Sequence, residues 1–138
     1  MRILAVDPGE KKIGLAISDP VGIAARPLVT IEHTARMDDA ARIVALAIEH
    51  DARLIVVGMA LEADGQVGPA ARHAERLVEA LRELTSVPVV LYDESLSTHI
   101  ADEAMRANHR GQRARRMHIH EASAAAILQS YLDAHSSE

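Results

Sequence analysis

The chain alternates between short apolar runs and longer stretches in which apolar residues recur every three or four positions. The first run, "RILAVD" (2–7), predicts a buried strand. A second run opens at Lys11-Lys12 and ends at Ser18; with Pro8-Gly9 as the turn, the two predict a hairpin. "ARPLVTI" (25–31) reads as a third strand, and its proline suits a strand start or a sheet edge. "MDDAARIVALAIEH" (37–50) has helical periodicity, with Asp38 and Asp39 at the positive end of the helix dipole. "RLIVVG" (53–58) is unbroken and apolar, the mark of a central parallel strand. "EADGQVGP" (62–69) is a loop and "AARHAERLVEALREL" (70–84) a second helix. "VPVVLYDE" (87–94) reads as another buried strand, this one ending on acids. "LSTHIADEAMRAN" (96–108) predicts a helix capped by Ser97 or Thr98, and "HIHEASAAAILQSYLDA" (118–134) predicts the closing helix.

Three strands close together in sequence make an antiparallel meander. The next two, separated by a helix, pair in parallel. The expected fold class is therefore α/β: a five-stranded mixed sheet, an antiparallel meander plus two parallel strands, with helices on both faces. A chain of 138 residues is expected to be one domain, 1–138.

Composition narrows the picture. Apolar residues make up 49%, yet the only aromatic rings besides histidine are Tyr92 and Tyr131, so Ala, Val, Leu and Ile must fill the core. Cysteine is absent, which excludes disulfides and thiolate metal sites. No apolar run approaches the ~20 residues of a membrane span, and no secretory leader is apparent, so a soluble cytoplasmic protein is expected. The net charge of −5 argues against a sequence-blind nucleic-acid binder. Charge is unevenly placed, however. "MRANHRGQRARRMH" (105–118) holds Arg106, Arg110, Arg113, Arg115 and Arg116. Arg forks match phosphate oxygens, so this run is a candidate nucleic-acid arm; a solvated charge run is the plain alternative.

Two predicted strands end on acids, Asp7 after "ILAV" and Asp93-Glu94 after "VVLY". In a sheet with crossovers, active groups gather at the carboxyl ends of strands. If the two strands run parallel and side by side, their carboxylates meet at one edge and repel unless a cation lies between them. Mg²⁺ or Mn²⁺ fits oxygen ligands of this kind, and carboxylates holding such ions suit phosphodiester hydrolysis. The competing reading is that strand-end acids are simply solvated.

Four blocks carry a resemblance: "DPGEKKIGLAISD" (7–19), "VVGMALEADG" (56–65), "DESLST" (93–98) and "EASAAAILQSYLD" (121–133). In order and spacing they resemble the signature blocks of the YqgF/RuvX family over nearly the whole chain. The resemblance implies an RNase H-like fold and a metal-dependent nuclease. It also implies one of two substrates: the 5′ end of 16S ribosomal RNA precursors, or Holliday junctions. Carried over by position, the family's catalytic acids fall on Asp7, on Glu94 and, on the closing helix, on His120. The last is a departure, because the family has a carboxylate there. His120 shares the apolar helix face of Ala124, Ile127, Leu128 and Tyr131, whereas the neighbouring acid Glu121 is rotated by ~100° toward its rim. Imidazole favours Mn²⁺ over Mg²⁺. A second departure is Ser95, where the family has Arg; a third is Ala60, where it has Pro.

The expected metal ligands are thus Asp7, Glu94 and His120. The expected phosphate contacts are Lys11, Lys12, Arg110, Arg113, Arg115 and Arg116. Two other functions remain open. "DPGEKKIG" also suits an actin-like phosphate binder, though such folds need two lobes around the nucleotide. His120 and Ser95 suit a nucleic-acid binder that has lost catalysis. A junction-cleaving enzyme would further require a homodimer matched to a two-fold substrate.

Overall fold

The computed structural model describes residues 1–93 and 112–135. Its elements are β1 (Arg2–Pro8), β2 (Lys12–Ser18), β3 (Ala25–Glu32), α1 (Arg36–Glu49), β4 (Ala52–Met59), α2 (Pro69–Leu84), β5 (Val89–Asp93) and α3 (Gln112–His135). The helix expected over 96–108 lies outside the described residues.

The strands form one sheet in the order β3-β2-β1-β4-β5. β1, β2 and β3 pair antiparallel, while β4 runs parallel to both β1 and β5. The expected mixed sheet is present, and Pro27 sits on an edge strand where its missing N–H is tolerated. One expectation is corrected: the strands of Asp7 and Glu94 are not side by side, because β4 lies between β1 and β5. A second is that β5 is no buried strand. It forms the far edge, and Leu91 and Asp93 are exposed.

Period-two alternation divides the core. Leu4 and Val6 of β1, with Ile13, Leu15 and Ile17 of β2 and Ile55 and Val57 of β4, pack under α1 and α2. Ile3 and Ala5, with Ala16, Leu54 and Val56, pack under Ala124, Ile127, Leu128 and Leu132 of α3. Every buried apolar residue among those described is Ala, Val, Leu or Ile, as the absence of Phe and Trp requires.

α3 is tied to both sides of the sheet. Gln129 Oε1 accepts the Ala25 N–H at 2.9 Å, at the start of β3, and the Tyr92 hydroxyl of β5 meets Ser130 Oγ at 2.7 Å. The helix starts earlier than the expected position 118, at Gln112. "QRARR" lacks the apolar repeat that marks a helix, although Gln, Arg and Ala are all good helix formers.

On the opposite face, Asp39 is buried at 1% exposure. It accepts the Thr34 N–H at 3.0 Å, an Arg42 Nη2 bond at 2.6 Å and a bond from His33 Nδ1. Burial opposes its ionisation, but these bonds outweigh it and hold its carboxyl below the ordinary value. Beside it, the His73 ring stands edge-on to His33 at 5.9 Å between centroids, and His73 Nε2 is buried without a partner among the described residues. Burial, then the charges of His33 and Arg36, push the His73 pKa down. The unfolded chain therefore binds a proton that the native chain rejects, and stability falls as pH drops below ~6.5, the value of an unperturbed histidine. His73→Leu is expected to keep or raise the melting temperature at pH 7, since it removes an unsatisfied polar atom. It should also flatten the decline of melting temperature between about pH 6.5 and pH 5. Melts of both proteins across that range check this; an unchanged slope would assign it to other groups.

Candidate active site

Asp7 stands one position short of the end of β1 and is half-buried. Alternation with Ile3 and Ala5 places it on the α3 face. Beyond it the chain turns through Pro8 and Gly9. The backbone carbonyl of Lys12 leaves no space for a Cβ at Gly9, so this turn depends on glycine. Lys11 and Lys12 follow, exposed at the same edge, and the Lys11 carbonyl accepts the His33 N–H at 2.9 Å. The signature block's last acid, Asp19, has a different task. It lies beyond the far end of β2, where its Oδ1 accepts the Ile23 and Ala24 N–H groups at 2.7 and 3.1 Å and closes the turn into β3.

His120 is half-buried on α3, one turn before the fully buried Ala124. The helix runs antiparallel to β1. Its carboxyl end reaches the amino end of the strand, where Tyr131, Leu132 and His135 line a cavity with Met1, Ile3 and Leu54. From Leu132 back to His120 is about 18 Å along the helix. From Ile3 forward to Asp7 is about 13 Å along the strand. Asp7 and His120 therefore lie on the same face and toward the same end of the sheet.

Asp93 closes β5. It alternates with Val90 and Tyr92, which face α3, so Asp93 belongs to the opposite face from Asp7. Glu94, Ser95 and Arg110 lie outside the described residues. Arg113, Arg115 and Arg116 fall in the first two turns of α3, with no acidic residue in the first turn to offset them.

Sequence reasoning missed how Asp7 is flanked. Asp7 pairs with Gly14 of β2, and Gly14 pairs with Thr30 of β3. On the other side Val6 pairs with Val57, so the next step sets Gly58 beside Asp7, and Gly58 pairs with Tyr92 of β5. One row thus crosses the sheet on the α3 face: Thr30, Gly14, Asp7, Gly58, Tyr92. Gly14 stands inside an apolar run and Gly58 at the end of one, but their place beside Asp7 follows only from the register.

The donor set of Asp7 and His120 suits a divalent cation such as Mn²⁺. Among the described residues no three acids or histidines converge on a single ion position. Nor is any helix of the described residues long and apolar enough to cross a membrane.

Comparison with known proteins places the chain in a family. Residues 1–134 match the family described as "RuvX: Holliday junction resolvase". A protein of Anaeromyxobacter sp. (strain Fw109-5) named "Putative pre-16S rRNA nuclease" is 41% identical over 133 residues, covering 96% of this chain and 97% of that protein. A protein of the same name from Geobacillus kaustophilus is 42% identical over 135 residues, covering 96% and 98%. Among solved structures, Thermus thermophilus RuvC in complex with a Holliday junction substrate aligns with a TM-score of 0.61 at 18% identity, covering 99% of this chain and 96% of that one. The fowlpox virus resolvase with Holliday junction DNA aligns with a TM-score of 0.58 at 10% identity, covering 97% and 98%. At these identities the likeness shows the fold, which is RNase H-like. With a family match over almost its entire length and relatives above 40% identity, this chain belongs to the RuvX family.

Proposed function

We propose that this protein is a metal-dependent nuclease of the cytoplasm that processes the 5′ end of the 16S ribosomal RNA precursor. The observation that carries the reading is Asp7: an acid at the carboxyl end of a central strand, on the same face and at the same end as His120, in a chain whose relatives bear the pre-16S rRNA nuclease name. In this reading Asp7, Glu94 and His120 would hold Mg²⁺ or Mn²⁺, and the bound ion would supply activation of water and neutralisation of charge on the cleaved phosphate. Lys11 and Lys12, at the edge beyond Asp7, draw the nucleic-acid backbone toward the site.

The test is a cleavage screen of the purified chain with Mg²⁺ and with Mn²⁺ on a precursor-like RNA, a single-stranded RNA, a duplex and a four-way junction. Selective, metal-dependent cleavage of the precursor-like RNA is expected. No cleavage of any substrate with either ion would sink the nuclease reading and favour a binder that has lost catalysis. A second reading, Holliday junction resolution, draws on the family description and on the likeness to resolvase folds. It requires a homodimer, and preferential cleavage of the four-way junction would select it.

The α3 arginines are assigned to backbone phosphate rather than to bases. Replacing Arg113, Arg115 and Arg116 by Ala should weaken binding of unrelated sequences equally. It should also reduce the slope of log affinity against log salt by about 0.7–0.9 per lost contact. An unchanged slope would leave the three as solvated helix residues.

A further inference from the structure

Gly14 and Gly58 flank Asp7 on the two neighbouring strands, and both fall on the α3 face. Elsewhere on that face the same strands carry Ala16, Leu54 and Val56. Side chains are therefore missing only on either side of the acid. A glycine inside a strand costs stability and marks either a bulge or a place where another group comes close to the backbone. The described pairings shift register between Arg2 and Ile3 and between Leu15 and Ala16, one residue past Gly14, while Asp7, Gly14 and Thr30 themselves stay paired in one row. Elsewhere on this face the helix packs on small residues other than glycine. Where Ala124 and Leu128 of α3 are fully buried on the sheet, the sheet offers Ala5, Ala16 and Val56.

We propose that Gly14 and Gly58 are specificity-determining positions of the active site. Without side chains on either side of Asp7, a nucleic-acid phosphate can lie against the sheet surface next to the carboxylate. The inference rests on Asp7 being an active-site acid, and it adds what that reading lacks, a surface that admits the substrate's reacting group. It also answers the separation of β1 from β5. The strand between them carries Gly58 in that row, so no β4 side chain stands between Asp7 and the β5 edge.

The test compares Gly58→Ala, Gly58→Val, Gly14→Ala and Gly14→Val with the parent and with Asp7→Asn. Both thermal melting and cleavage are measured. Valine suits a strand better than glycine, so the melting temperature should hold or rise. Cleavage should fall in order of side-chain size, by roughly 100-fold for valine, the scale of a misplaced reacting group. More stable but inactive valine variants are the expected signature. If the valine variants cleave like the parent while Asp7→Asn is dead, this inference fails and the site stands. If their melting temperatures fall sharply, the glycines serve packing and the inference fails as well. If Asp7→Asn itself cleaves like the parent, the reading of the site fails first.

Discussion

Asp7→Asn is expected to abolish cleavage while leaving the fold intact. The substitution keeps the shape of the side chain and removes only its charge. Asp7 is half-buried near the tip of β1, on the edge of the packed layer of Ile3 and Ala5 rather than within it, so little packing depends on it. The chemistry depends on it heavily. A bound divalent cation stabilises developing charge by several kcal/mol, and each ~1.4 kcal/mol is tenfold in rate, so loss of an anionic ligand should cost about 10³-fold or more. The thermal melt should be superimposable on the parent's. Cleavage within a few fold of the parent would remove Asp7 from the site and, with it, the proposed roles of its glycine neighbours.

How much of this was legible in the sequence depends on which physical signal was asked for. Alternation and unbroken apolar runs located β1, β2, β3 and β4 to within a residue, because buried strands must be apolar on one face or both. The same signal failed for β5. "VVLY" is as apolar as "LIVV", yet Leu91 is exposed on a sheet edge, since composition reports what a strand is made of and not which strand lies next to it. That limit also produced the false adjacency of the two acid-bearing strands. With β4 between them their axes are about 10 Å apart, two ladder spacings. The start of α3 was missed because an arginine-rich turn has no apolar period to read. Asp39 looked like an ordinary helix-dipole acid, but it is buried and bound by His33, Thr34 and Arg42. Its partners come from the β3–α1 corner as well as from its own helix, and only folding brings that corner over it.

The site divides along the same line. Asp7 could be chosen from the sequence because an acid that closes an apolar strand has few structural reasons to be there. The glycines beside it acquire meaning only from register, since nothing in "KIGLAIS" or "VVGM" says that Gly14 and Gly58 fall in one row with Asp7. Residues that hold charge are visible one at a time. Residues that act by leaving space are visible only in the company of their neighbours.

His120→Asp is expected to move the metal preference of the enzyme from Mn²⁺ toward Mg²⁺. Where the family pattern has a carboxylate, this chain has an imidazole, and helical phase puts it on the face with Ala124, Ile127 and Leu128, toward the end of the sheet where Asp7 lies. A neutral imidazole brings no negative charge, so a site built on Asp7, Glu94 and His120 carries one charge fewer than one with three acids. Mg²⁺, a hard ion that prefers oxygen and gives up its waters reluctantly, loses most from that change. Mn²⁺ stands lowest among the transition ions in affinity for such ligands, but it accepts nitrogen more readily than Mg²⁺ does. The parent should therefore cleave faster with Mn²⁺ than with Mg²⁺, and His120→Asp should narrow or reverse that ratio. Changes to the groups that merely support a metal's ligands are commonly worth ~10- to 100-fold, so exchange of a ligand itself should move the ratio by at least about that factor. Parallel titrations of activity against each ion, for the parent, His120→Asp and His120→Ala, separate the possibilities. If His120→Ala cleaves like the parent with both ions, His120 is a packing residue on the apolar face of α3, and Glu121 becomes the acid on that helix to replace next.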